Sequence, residues 1–132
     1  MRIFLMAAAG VLIAGAANAA TVYDCKISNR DSKNVPKHII VEFDPANGAA
    51  TAIDEFVNHY IEKPIKARVV KDNDKRLTVS YSLDGVAATN GTTIVNDETR
   101  LTIVKASGEA LVSYNQGYGI TNHGSGTCKI DK

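Results

Sequence analysis

The chain has no tryptophan and only two cysteines, three histidines and three prolines among its 132 residues. It also lacks the short motifs of nucleotide and acyl chemistry. In the glycine-rich stretch GYGITNHGSGTC, residues 117 to 128, GxGxxG fails because Asn122 stands in place of the third glycine and no helical pattern follows. No Gly-Lys pair exists to build a P-loop, and GxSxG fails because His123 lies two positions before Ser125. These absences argue against a nucleotide-dependent enzyme and against a serine hydrolase of the elbow type.

No apolar run reaches the roughly 20 residues that a membrane-spanning helix needs. The longest, Ile3 to Ile13, follows Arg2 and leads into Ala17-Asn18-Ala19. That is the pattern of a secretory signal peptide over residues 1–19, leaving one domain over 20–132. Thr21, Val22, Tyr23 and Asp24 separate the small residues from Cys25, so no cysteine stands at the cleavage point to carry a lipid anchor. A periplasmic or secreted location follows as an expectation. A domain of 113 residues supports one modest core and not two.

Charge of one sign is also missing. Arg2 is the single charged residue of the signal, and without it 14 basic residues face 14 acidic ones. No global field draws such a chain to nucleic acid or anionic lipid. Lys63, Lys66, Arg68, Lys71, Lys75 and Arg76 form a local basic stretch, read as a solvated strand face.

What is present is alternation. TVYDCKI puts Tyr23, Cys25 and Ile27 on one face, and HIIVEF does the same with Ile39, Val41 and Phe43. The turn residues of DPANG join the second segment to AATAI, a hairpin over residues 38–53. PIKARVVK and RLTVSYS read as a second hairpin with one wet face, and RLTIVK with ALVSYN as a third. TCKI closes the chain as a last strand. Val41, Phe43, Val69, Val79, Tyr81, Ile103 and Val112 are expected to point inward. Between the first two hairpins the spacing of Ile53, Phe56, Val57, Tyr60 and Ile61 predicts a short helix over 53–62, with a strand running on through Phe56 or Val57 as the alternative. The fold class is therefore all-β, a small antiparallel barrel or sandwich of about seven to nine strands.

The two cysteines lie near the ends of the mature chain, in an oxidising compartment, and without metal-ligand or redox spacing. A Cys25–Cys128 disulfide is expected. Its alpha carbons must approach within about 7 Å, so the first and last strands are neighbours or face each other across a thin core.

Three constellations were candidates for chemistry. Glu55, His59 and Glu62 would share a face of the helix and could hold a metal, but they are also what a solvated face contains, with Asp54 and Asn58 beside them. DND at 72–74 lacks the glycine and the distal glutamate of a calcium loop and reads as a turn. The glycines of 117–128 read as a flexible turn that delivers Cys128 to Cys25, with Tyr118 and His123 the residues a partner would touch. No cofactor, metal or catalytic residue is assigned.

The signal peptide, the YxC of the first strand, the short strands and the terminal cysteine resemble the small periplasmic barrels that inhibit C-type lysozymes. KASGEALV, 105–112, is loosely similar to that family's KG(D/E)A segment, whereas SLDGVAA, 82–88, lacks the tyrosine of its inhibitory SGxxY loop. The absence of catalytic and cofactor motifs, together with a disulfide-closed barrel, gives the expectation of a non-enzymatic domain that binds a protein or glycan of the cell envelope. The resemblance implies a lysozyme-inhibitor-like role as one specific form. The alternative expectation is a lipocalin-like carrier, whose eight-stranded barrel would enclose a small apolar ligand.

Overall fold

The computed structural model describes residues 20–84, 86–87, 91, 93–94, 97–116 and 119–131. Residues 1–19, where a signal peptide is expected, and Tyr118 lie outside them. Eight strands close into an antiparallel barrel: β1 (Thr21–Arg30), β2 (His38–Asp44), β3 (Ala49–Asp54), β4 (Ile65–Asp72), β5 (Arg76–Leu83), β8 (Asp97–Val104), β9 (Glu109–Asn115) and β10 (Thr121–Asp131). The order around the barrel is β1-β10-β9-β8-β5-β4-β3-β2. Two short strands between β5 and β8, β6 (Val86–Ala87) and β7 (Thr93–Ile94), pair only with each other. The architecture is thus a barrel and not a sandwich, and every barrel strand has two hydrogen-bonded neighbours, which removes the open edges on which aggregation starts.

Alternation places the core. Tyr23, Cys25 and Ile27 of β1 are buried, as are Ile39, Val41 and Phe43 of β2, and Leu77, Val79 and Tyr81 of β5. They join Leu101, Ile103, Ala110 and Val112 in one cluster that fills the interior. Of the residues expected to face inward, Val69 alone is half-buried, beside the register shift between Val69 and Lys71. The second hairpin departs from its expected wet face: Thr78 and Ser80, on the outer side of β5, are also buried. Thr78 shares a hydrogen bond with Thr102 at 2.9 Å, and the Ser80 hydroxyl donates to Glu98.

The disulfide joins Cys25 to Cys128, which sit opposite each other where β1 pairs with β10. The first strand is therefore locked to the last, a bond consistent with an oxidising, exported compartment. Above this pair β1 bulges: Lys26 faces Thr127, but the next paired residues are Asn29 and Ser125. Two β1 residues, Ile27 and Ser28, thus pass one β10 residue, Gly126. On its other side β1 stays in register: the Ile27 N–H donates to the Lys37 carbonyl at 2.8 Å, one residue beyond the pairing of Lys26 with His38.

The helix is shorter than its apolar spacing predicted. Ile53 and Asp54 still belong to β3, and α1 runs over Glu55–Tyr60. Asp54 caps it, accepting the Val57 N–H at 2.7 Å, and Glu62 at φ 67° ends the segment in the left-handed region. Val57 is fully buried, so α1 closes over one end of the barrel. The last strand is longer than predicted. It begins at Thr121, so His123, Gly124, Ser125 and Gly126 lie in a strand and not in a turn. Gly119 is the one described glycine of that stretch with positive φ. Gly124 and Gly126 are needed instead for close approach: a Cβ on Gly126 would lie 1.8 Å from the Lys26 carbonyl oxygen.

Candidate functional site

The end of the barrel under α1 gathers polar groups that the rest of the interior lacks. Registry assembles them. Tyr81 of β5 faces Thr99 of β8, Leu83 faces Asp97, and Thr99 faces Tyr114 of β9. Asp54, at the end of β3, completes the set. Two tyrosine–aspartate pairs result. The Tyr81 hydroxyl donates to Asp54 Oδ2 at 2.7 Å, and the Tyr114 hydroxyl donates to Asp97 Oδ2 at 2.8 Å. Asp54 is 5% exposed and Asp97 8%, so both carboxylates have left bulk water.

Burial decides their protonation. It raises Asp54 above the ordinary carboxyl range, against the hydrogen bonds from Tyr81 and the Val57 N–H. Asp97 is pushed up to about 6, again mainly by burial, with Tyr114 opposing and the charges of Asp54 and Asp84 adding to the rise. Burial, then the adjoining carboxylates, hold the Tyr81 and Tyr114 hydroxyls protonated. The folded protein therefore binds a proton at Asp97 more tightly than the unfolded chain, whose carboxyl titrates near 3.8. Stability contributed by this group is full below that value and is lost as pH rises through about 6. Asp97→Asn keeps an acceptor for Tyr114 and removes the buried charge. We expect it to raise stability by about 1–2 kcal/mol at pH 7.5 and to leave stability unchanged at pH 3. Thermal denaturation of both proteins at the two pH values checks this, and a lower melting temperature for the variant at pH 7.5 would contradict it.

Asp97 and Tyr114 line a cavity of about 170 Å³ with Asn34, Phe56, Tyr60 and Leu83. His59 meets Tyr60 edge-on at 4.6 Å between ring centroids, which steadies the tyrosine from outside. A wider groove of about 310 Å³ on the other side of Asp54 is lined by His38, Ile40, Ile53, Glu55 and Asn58. Its charged groups are already engaged. Glu55 accepts the backbone N–H groups of Lys37 and His38, and His38 Nε2 lies 2.5 Å from Asp24 Oδ1.

The residues singled out from the sequence fall elsewhere. His123 is exposed on β10. Its N–H donates to Asp31 Oδ1 at 2.9 Å, and its Nδ1 is 3.8 Å from Asp31 Oδ2. Asp31, His123 and Ser125 thus border one open depression. A hydrogen bond from Ser125 to the His123 ring, which a nucleophile and its base require, is not among those of the described residues. Glu55, His59 and Glu62 do not converge: among the described residues no group of three or more histidine, cysteine or acidic side chains is placed to hold a metal ion. Asp54 corrects the reading of a solvated helix face, because it is buried as a cap. Its partner Tyr81 was expected only as an inward-facing core residue, and the pair of Asp97 and Tyr114 was not singled out. Strand parity carried the signal: Asp54 is in phase with Ala50 and Ala52, and Asp97 with Leu101 and Ile103, so each acid is directed to the core face.

No family model, curated protein or solved structure matches the chain. The chemistry of the barrel end therefore rests on its own geometry.

Proposed function

We propose that this is an exported, non-enzymatic barrel, periplasmic or secreted, that binds a macromolecular partner of the cell envelope at the rim covered by α1. The observation that carries this reading is the contrast between interior and rim. Ile39, Val41, Leu77, Val79, Leu101 and Ile103 are each 0% exposed and occupy the space in which a carrier would hold its ligand. This favours a surface role over lipocalin-like transport. At the rim, by contrast, aromatic side chains and a buried carboxylate border an open cavity. A rigid barrel that presents such a feature suits recognition.

A lysozyme-inhibitor-like role is one specific form. The closed barrel and its disulfide support it in outline, while the hairpin turn of KASGEALV lies at the end of β8 remote from Asp97. Immobilised protein exposed to envelope extract, with inhibition of a C-type lysozyme measured in parallel, tests the proposal. A protein or glycan retained by the wild type and released by Asn34→Trp, which puts a bulky ring into the lining of the cavity, is the expected result. Retention of nothing overturns the reading, and retention that survives Asn34→Trp removes the partner from this rim.

A further inference from the structure

We propose that the cavity beside Asp97 receives the side chain of a lysine from a protein partner, its ammonium group meeting the Asp97 carboxylate between aromatic walls. The inference rests on the partner-binding reading and names what the partner must present.

Size sets the first limit. Pockets for drug-sized molecules run from about 300 to 1,000 Å³. A cavity of about 170 Å³ is smaller than these and suits a single side chain. Charge sets the second. Asp97 lines the cavity, and the carboxylates of Asp54 and Asp84 act on it from β3 and from the end of β5. No lysine or arginine is among the described residues that line the cavity beside Asp97. The complement of that charge is a cation.

The walls set the third. The chain has five tyrosines and three phenylalanines, and three of these eight, Phe56, Tyr60 and Tyr114, border this one cavity. Aromatic faces attract a cation that has left water, and they attract it more strongly where the site is dry. Aromatic walls with a carboxylate at one side are the means by which alkylammonium groups are held.

Geometry then separates lysine from arginine. Guanidinium recognition gains most from a two-pronged contact that uses both oxygens of a carboxylate. Tyr114 already holds Asp97 Oδ2. With that oxygen engaged, the carboxylate suits the point charge of an ammonium and leaves the second prong of a guanidinium poorly matched. Titration follows the same logic. The groups that bear on Asp97 are Tyr114 of β9, Asp54 of β3 and Asp84, with Tyr60 of α1 acting on Tyr114. Tyr114 stays neutral, so protonation of Asp97 removes the charge that attracts the ligand.

The minimal probe is n-butylammonium, titrated into ¹⁵N-labelled full-length mature protein and followed by amide shifts. Saturable shifts centred on Phe56, Tyr60 and Tyr114 are expected at pH 7.5. Affinity should fall about tenfold at pH 5, the ratio of ionised fractions for a carboxyl titrating near 6. Asp97→Asn should lose at least tenfold at pH 7.5, with its own spectrum reporting that it is folded. n-Butylguanidinium should bind several-fold more weakly than n-butylammonium. Binding that is absent, or equal in Asp97→Asn, overturns the lysine assignment. Equal or tighter binding of the guanidinium overturns the choice of lysine. Each of these results is separate from capture of a partner by the wild type, because a partner still retained from envelope extract would leave the partner-binding reading intact. A partner whose retention is undiminished by acetylation of its lysines also overturns the assignment.

Discussion

Gly126→Ala is expected to destabilise the barrel by ~3 kcal/mol or more, at or beyond the upper end of what overpacking a core costs. The added methyl group would lie 1.8 Å from the Lys26 carbonyl oxygen and 2.8 Å from the Ile27 α-carbon. These are backbone atoms, so no rotamer change relieves the overlap. Relief requires β1 to give up its bulge or to lift from β10, and either breaks the seam that closes the barrel. Gly124 is a milder case. Its nearest neighbours are the side-chain ends Ile27 Cγ2 at 2.8 Å and Val35 Cγ1 at 2.9 Å, with the Asn29 carbonyl at 3.0 Å. Gly119, at φ +81° with nothing within 4 Å, should cost only about 1 kcal/mol for its left-handed backbone. Urea unfolding of the three alanine variants should rank the losses 126, 124, 119. If Gly126→Ala is not recovered folded, the order of the other two still reads out the cause. A Gly126→Ala protein within 1 kcal/mol of wild type would show that the strands are not this close.

The same glycines mark where local sequence stops being informative. A glycine that supplies positive φ and one that makes room for another chain look alike in HGSG. What distinguishes them here is the bulge at Ile27 and Ser28, about a hundred residues earlier in the chain. Alternation was legible because each strand of a closed antiparallel barrel buries one face, so Tyr23, Cys25 and Ile27, or Leu77, Val79 and Tyr81, carry the pattern by themselves. The disulfide was legible from the cysteine number and the expected exported location. The helix was legible in kind and overextended in length, because β3 runs into α1 through Asp54 with no turn residue between them. An aspartate in front of an apolar helical run is a start signal, which places Asp54 as the cap. The candidate site was harder to see. A polar residue in an apolar segment reads as exposed until its partner is known, and the partners Tyr81 and Tyr114 lie 27 and 17 residues away.

Replacing both Cys25 and Cys128 by alanine should lower stability by about 4 kcal/mol, with the native barrel still closed. The bond spans a sequence separation of 103, and the chain-entropy model assigns a loop of that length about 4.7 kcal/mol, an upper value. Most of this acts on the unfolded chain. In the native state the seam has other support: Val22, Tyr23, Asp24 and Lys26 pair with Asp131, Ile130, Lys129 and Thr127 on either side of the cysteines, and the Cys128 N–H donates to the Gly108 carbonyl at 2.6 Å. The variant should therefore show a lower urea midpoint and a steeper dependence on urea, because an unlinked chain expands further when it unfolds. It should also refold more slowly than the oxidised protein. Pairing the first strand with the last is the costliest contact in the topology, and the disulfide removes most of that closure entropy in advance. The amide spectrum around Asp97 and Tyr114 should be unchanged, since neither residue touches the bond. A loss below 1 kcal/mol would mean that the seam's ladder and the residual structure of the unfolded chain already hold the ends together. A collapsed spectrum without a cooperative transition would mean that the bond itself, and not the ladder, closes the barrel.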